Sequence, residues 1–210
     1  MTARMLSKLV MAAVLVATPV AGIDLSPNEA QTLDKRFADT QKETRTLQAG
    51  FQQIIFFPGM RTPAVSSGVI FYRAPDDLRI NYSQPAGDYF LLRGDVFDVS
   101  RRGKEPVKRT TKDKAARALL ALRDILRGSP ATVDTHMNYL VSQLEDEYVV
   151  RISPNAPSPD LPEMIENRVD ANTLLLRSMS IRLPHGATMQ FLFSHPLRNT
   201  KLAENLFCTP

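Results

Sequence analysis

Apolar and polar positions alternate along this chain with two different periods. After Ser26-Pro27-Asn28-Glu29, which sets a serine cap, a proline at the first helical position and a glutamate three residues after the cap, Ala30, Leu33 and Phe37 recur at helical spacing. The spacing predicts an amphipathic helix over 27–44, too short to be stable without something to lie on. From Leu47 the period becomes two. Leu47, Ala49, Phe51, Ile55 and Phe57 fall on one face of an extended segment that Pro58-Gly59 ends. Val65, Val69 and Phe71 alternate next, then Leu78, Ile80 and Tyr82 opposite Arg79 and Asn81, with Pro75-Asp76-Asp77 as the turn between them.

Further strands are expected over 89–93, 96–101, 137–144, 148–153, 173–183 and 188–195, with a short one near Leu206. Glu145-Asp146 and Pro184-His185-Gly186 read as hairpin turns. Two segments interrupt the strands. Residues 113–127 have high helix propensity, end at Gly128, and place Leu119, Leu122 and Leu126 on one face. Residues 154–162 carry four prolines and read as an exposed loop. Short strands joined by short turns make an antiparallel meander, because parallel pairing needs crossover helices. About nine or ten such strands approach the size at which an open sheet curls. The expected fold is mainly β with helices: a closed antiparallel barrel or a strongly bent half-barrel, with the two helices laid over the concave side of the sheet.

Composition narrows the class. The chain has 210 residues, 43% apolar and 23% charged, which excludes a disordered tail. Its long apolar run lies at the extreme N-terminus, where Arg4 and Lys8 precede residues 9–17 and the small-residue stretch 18–22 follows. This reads as a secretory signal peptide over 1–22, cleaved near Gly22, leaving one domain over 23–210. A single cysteine, Cys208, makes no internal disulfide, which suits a domain held by its core. Residues 101–117 hold eight basic residues against two acidic ones, a density that suits anionic headgroups, an acidic partner or plain solvation. No nucleic-acid-binding module accompanies it.

Enzyme motifs are missing: the sequence has no Gly-x-Ser-x-Gly elbow, no glycine-rich phosphate loop, no His-Glu-x-x-His and no cysteine pair. His136, His185 and His195 are isolated in sequence, and the acidic pairs lie in turns. No enzyme activity, cofactor or metal is expected. What remains is the lipophilic interior.

Several segments are similar in order and spacing to one family. They are Leu47-Gln48-Ala49-Gly50-Phe51-Gln52-Gln53 after the capped helix, Gly68-Val69-Ile70-Phe71-Tyr72-Arg73-Ala74-Pro75 running on to Leu78-Arg79-Ile80-Asn81-Tyr82 and Pro85, and Phe191-Leu192-Phe193 with Asn199 and Leu206-Phe207. Together with the signal peptide they resemble the outer-membrane lipoprotein carrier (LolA) family, most clearly over 25–100. The resemblance implies a monomeric periplasmic chaperone built as an unclosed antiparallel β-barrel, or half-barrel, with an α-helical lid over a hydrophobic cavity. It would shelter the acyl chains of a lipoprotein between an inner-membrane releasing transporter and an outer-membrane receptor.

On that basis Phe51, Ile55, Phe71, Leu78, Ile80, Tyr82, Phe90, Leu92, Leu119, Leu122, Leu126 and Phe193 are expected to line the acyl site. The family's lid-fastening arginine directly precedes the proline. Here Ala74 holds that place, with Arg73 one residue early, while Arg79 matches the second arginine and Ile80 stands where an aromatic is usual. Arg73 and Arg79 are therefore the expected lid fasteners. Alternatives from other classes are a lipid- or lipoprotein-sensing regulatory module, a specialised paralogue carrying another lipid, and a hydrolase of unknown type.

Overall fold

The computed structural model describes residues 22–94, 96–101, 104–110, 120, 122–123, 126, 137–159 and 161–208. The expected signal peptide lies outside them apart from Gly22. So do Leu119, His136 and most of the expected second helix and basic segment. Among the described residues no helix is long and apolar enough to cross a membrane.

Among the fully described elements, the helix α1 (Pro27–Glu43) and twelve strands follow in order: β1 (Ile23–Asp24), β2 (Thr46–Phe56), β3 (Ala64–Arg73), β4 (Asp77–Gln84), β5 (Ala86–Arg93), β6 (Val96–Ser100), β7 (Val107–Thr110), β8 (Met137–Leu144), β9 (Glu147–Pro154), β10 (Met164–Asp170), β11 (Leu176–Arg182) and β12 (Thr188–Arg198). They form a single antiparallel sheet, ordered β1-β8-β9-β10-β11-β12-β2-β3-β4-β5-β6-β7, that does not close. The fold is the expected half-barrel. β2 and β12 pair over most of their length, from Thr188 opposite Phe56 to Arg198 opposite Leu47, and so join the two halves of the sequence at the middle of the sheet.

Three rows of side chains follow from the register. Leu47, Tyr72, Leu78, Leu92 and Phe97 face one another across β2 to β6, and so do Ala49, Ile70, Ile80, Phe90 and Val99. A third row runs Phe193, Phe51, Gly68, Tyr82 across β12 to β4. All but Gly68 belong to one hydrophobic cluster that also takes Val150, Ile152, Ile165, Val169, Met179 and Ile181 from the other half of the sheet and Leu33 and Phe37 from α1. Residues from nine strands can share one cluster only if the sheet curves around it, so this is the concave face. Each fully buried aliphatic side chain contributes about 1.5–3 kcal/mol.

Glu29 fixes the start of α1 by accepting hydrogen bonds from the Ser26 N–H at 2.8 Å and the Ser26 hydroxyl at 2.6 Å. Its far end is held by Asn199, in the left-handed region at φ 57°. The Asn199 side chain accepts from the Arg45 N–H at 2.7 Å and donates to the Glu43 carbonyl at 2.9 Å. Helix end, β2 start and β12 end are thereby tied to one residue.

The structure departs from the strand expectations in several places. β1, β7 and β10 are strands where none was expected. Around Leu206 the backbone forms a short 3-10 turn, Glu204–Phe207, closed by Leu206 N–H to Ala203 and Cys208 N–H to Asn205, in place of a strand. β12 runs on past His195 through a bulge between Ser194 and Leu197.

Candidate functional site

Aromatic rings gather on the concave face where β12, β2 and β4 meet. The Phe51 ring stands edge-on to Tyr82 at 5.3 Å and tilted against Phe191 at 6.0 Å. Tyr82 in turn meets Phe90 at 5.9 Å, and Phe191 stacks on Phe193 at 6.1 Å. Gly68 makes this arc possible. It sits opposite both Phe51 and Tyr82, and a Cβ built there would lie 2.0 Å from the Asn81 carbonyl oxygen and 2.9 Å from the Phe51 ring. Phe51 can therefore lie over the bare strand and reach Tyr82.

Inside this apolar arc sits a polar pair. The Tyr82 hydroxyl donates to Gln53 Oε1 at 2.9 Å, and Gln53 Nε2 points at Met189 Sδ at 3.4 Å. Burial pushes the Tyr82 phenol up to about 12, so it stays protonated and remains a donor at neutral pH. Gln53 is buried with both ends of its amide engaged.

Helical backbone covers the open side. Leu33 and Phe37 of α1 enter the cluster, and Arg36 on the next turn position donates to the Tyr148 hydroxyl at 3.2 Å and the Ala171 carbonyl at 3.0 Å. A cleft of about 290 Å³ opens between α1 and β8–β9, lined in part by Leu25, Leu33, Arg36 and Tyr148. The chain leaves β7 at one edge of the sheet and returns at β8, beside the other edge. Leu120, Leu122, Arg123 and Leu126, all helical, belong to that connection. Leu122 is 0% exposed within the main cluster, and Leu120 and Leu126 pack against it. Arg123 reaches back to the sheet turns, 3.9 Å from Asp76 and 3.5 Å from the Gly94 carbonyl.

Of the expected lining residues, Phe51, Leu78, Ile80, Tyr82, Phe90, Leu92, Leu122, Leu126 and Phe193 are brought together in or against the concave cluster. Ile55 continues the inward alternation of β2 and is half-buried near its end. Phe71 is a correction. It faces the other side of the sheet, packed with Tyr89, Leu91 and Phe207. The inward set of β3 is Gly68, Ile70 and Tyr72, one residue out of step with the expected Val65, Val69 and Phe71, and a one-residue slip exchanges every side chain between faces.

Arg73 and Arg79 need the same correction, for both lie on the outer face with Phe71. Arg73 forms a bidentate contact with Asp77 Oδ2 at 2.9 and 2.6 Å and lies 4.3 Å over the Phe207 ring. Arg79 donates to the Leu206 carbonyl at 2.7 Å and the Cys208 carbonyl at 3.2 Å, and lies 4.8 Å over the Tyr89 ring. Arg79 thus binds carbonyls of the C-terminal turn, while Arg73 holds a carboxylate on its own turn and covers a ring of that same segment. Among the described residues of the covering connection, Arg123 reaches the sheet. Sequence reasoning also passed over Gln53, Phe191 and Met189 as site residues, although Gln53 and Phe191 lie within the segments that carry the family resemblance.

Among the described residues, no three of His, Cys, Asp and Glu are grouped to hold a metal ion. No family model and no curated protein matches the chain. Solved structures do. A DUF1329 family protein from Desulfovibrio piger is 12% identical and aligns over 87% of this chain and 98% of its own, with a TM-score of 0.51. MucB of Pseudomonas aeruginosa, in its complex with MucA, is 14% identical over 85% of this chain, with a TM-score of 0.53; this chain spans 60% of its length. A LolA superfamily protein from Nitrosomonas europaea is 10% identical over 83% of this chain and 96% of its own, with a TM-score of 0.42. At such identities the likeness is one of fold.

Proposed function

We propose that this protein is a carrier for acyl chains, exported to the periplasm, that shelters the lipid of a lipoprotein during passage from an inner-membrane transporter to an outer-membrane receptor. The observation that carries the reading is the concave face itself. An aromatic arc and aliphatic rows from nine strands are covered by α1 and by the helical residues around Leu122, and among the described residues Arg36, Asn199 and Arg123 make polar contacts that join this cover to the sheet. Phe51, Ile80, Tyr82, Phe90, Leu92 and Phe193 are the proposed acyl contacts.

The energetics suit transport. Burying one methylene is worth about 0.8 kcal/mol, so a sixteen-carbon chain gains on the order of 10 kcal/mol. Entry must displace Leu33, Phe37 and Leu122, which cover the same surface in the structure. The net affinity is the difference between these two burials, which permits both uptake and release. Titration with a fluorescent fatty-acyl probe tests the reading. The wild type should bind saturably, and Leu122→Asp should bind more weakly while the sheet stays folded, because a carboxylate is expelled from the apolar contact. Absence of saturable binding by the folded wild type contradicts it.

A second reading has one observation in its favour, the fold shared with MucB, which is seen bound to MucA. On that reading the chain is a lipid-sensing module that docks on a membrane-anchored regulator. Affinity capture from periplasm separates the two: acylated protein favours the carrier, a transmembrane regulator the sensor.

A further inference from the structure

Six polar or charged residues are buried among the described residues: Thr44, Gln53, Asp98, Ser100, Ser142 and Asn167. Five of them have a side-chain partner. Thr44 donates to the Thr40 carbonyl, Gln53 accepts from Tyr82, Asp98 accepts from Arg93, Ser100 donates to the Lys104 carbonyl and Ser142 donates to Asp24. Asn167 is the exception. It is 3% exposed, and its Oδ1 is buried with no hydrogen-bond partner.

The register shows where this oxygen is. Asn167 lies between Ile165 and Val169 on the inward set of β10, and both neighbours belong to the concave cluster. Across the sheet it faces Val150 on β9 and Met179 on β11, 4% and 0% exposed. Continuing the same row, Met179 faces Phe191 on β12, which faces Gln53 on β2. The two buried amides of the concave face thus stand in one row, three strand spacings or roughly 14 Å apart. Gln53 is saturated by its own protein. Asn167 is flanked by hydrocarbon that offers no donor.

A buried amide oxygen without a donor destabilises the folded state, and a leucine, of the same branched shape though larger, would occupy the position without that polar cost. The position is therefore suited to a ligand. Resting on the acyl-carrier reading, we propose that Asn167 is a specificity residue that accepts a hydrogen bond from the cargo, so that the preferred ligand is an acyl chain with an N–H or O–H donor beside it, such as an amide-linked chain. In an interior without a waiting acceptor the reverse preference holds, because the amide N–H loses its hydrogen bond to water on entering.

The test compares two ligands that differ by one group. N-methylpalmitamide and methyl palmitate are each used to displace a fluorescent fatty-acyl probe from the full mature chain and from Asn167→Leu. The wild type should favour the amide by about three- to tenfold, the range for one neutral hydrogen bond. Asn167→Leu should abolish or reverse that ratio, and it or the smaller Asn167→Val should unfold at a temperature no lower than the wild type. A parallel pair, 1-hexadecanol and its methyl ether, identifies the hydroxyl as the donor if the preference appears there instead.

If the wild type binds both palmitate derivatives without preference for the amide, and the alcohol no better than its ether, the acyl-carrier reading stands and the role of Asn167 is overturned. An unchanged ratio in Asn167→Leu overturns it as well, and so does an unfolding temperature lowered both there and in the smaller Asn167→Val, by showing that the fold itself needs the amide. If the folded wild type binds none of the four ligands, the carrier reading and this inference fall together.

Discussion

Strands β3 and β5 bury apolar residues on both faces, with β4 between them contributing apolar residues to the inner face only, and the two faces are closed by different means. Inside, Ile70, Tyr72, Leu78, Ile80 and Leu92 join a cluster that spans both halves of the sheet and is covered by helical backbone. Outside, Phe71, Tyr89 and Leu91 meet only Phe207, Leu202 and Leu206 of the C-terminal segment, strapped down by the Arg73 and Arg79 guanidiniums. The inner face is extensive and closed mainly by apolar contact, so a hydrocarbon guest can substitute for its cover. The outer one is small and closed by charge-assisted hydrogen bonds and ring contacts, which an acyl chain cannot replace. The arginines beside these apolar strands, Arg73 and Arg79, are therefore structural clamps of the outer face, and the face proposed to receive acyl chains is the other one.

The largest effects should come from the inner face. Ile80→Ala, at 1% exposure, is expected to cost about 2–5 kcal/mol of stability in chemical denaturation. Gly68→Ala should cost about 1–3 kcal/mol, because its methyl would overlap the Asn81 carbonyl and push the Phe51 ring out of the arc. A neutral result at Gly68 would mean that the arc is not held by that close approach.

On the outer face, Arg79→Leu should cost about 1–2 kcal/mol, since the guanidinium is half-exposed and the carbonyls it releases can turn to water. Its signature is local: backbone amides over 202–208 should exchange faster while those of β10 and β11 do not change. Global acceleration would show that the C-terminal segment is part of the main cooperative unit, and would erase the distinction drawn between the faces.

How far this division was legible in the sequence varies by element. The start of α1 was legible because Ser26 and Glu29 act locally, β4 because its apolar residues alternate strictly after a marked turn, and β2 because Leu47, Ala49, Phe51 and Ile55 keep period two around the inward Gln53. β10 was missed because Asn167 takes the middle inward position and breaks the alternation of Ile165 and Val169, directly after a proline-rich stretch. β7 is short and basic, reading Val-Lys-Arg-Thr.

The faces of β3 were exchanged for a different reason. Val65, Val69 and Phe71 are as apolar as Ile70 and Tyr72, and only the C-terminal segment, some 130 residues later, covers Phe71. Arg73 and Arg79, expected to fasten a lid, hold the C-terminal segment instead, Arg79 by donating to its carbonyls and Arg73 by lying over the Phe207 ring. The identity of the carbonyls depended on that same long-range docking. Arg123 carried no motif to mark it.

The smallest effect is expected on the outer surface of the other half, where Arg177 pairs with Asp146, Glu147 and Asp170. The Thr173 N–H, followed by Arg177, holds the Asp170 carboxyl well below the usual carboxylate range. A depressed folded-state value stabilises the protein above the unfolded carboxylate range, near pH 4, and that contribution is lost as pH falls further. Asp170→Asn should lower the unfolding temperature by no more than a few degrees at pH 7, with the gap narrowing below about pH 4. A gap that stays constant down to pH 2 would contradict the assignment of the stabilisation to the ionised carboxylate.

The central claim, that the concave face and not the strapped outer face receives acyl chains, is tested most directly by photolabelling the folded protein with a diazirine-bearing fatty acid and mapping the labelled residues by mass spectrometry. Labels should fall on inward residues of β2, β4, β5 and β12, such as Phe51, Tyr82, Phe90 and Phe193, and should be competed by unlabelled fatty acid. Competable labelling confined to Phe71, Leu91 and Phe207, or labelling that unlabelled fatty acid does not compete, would contradict the account.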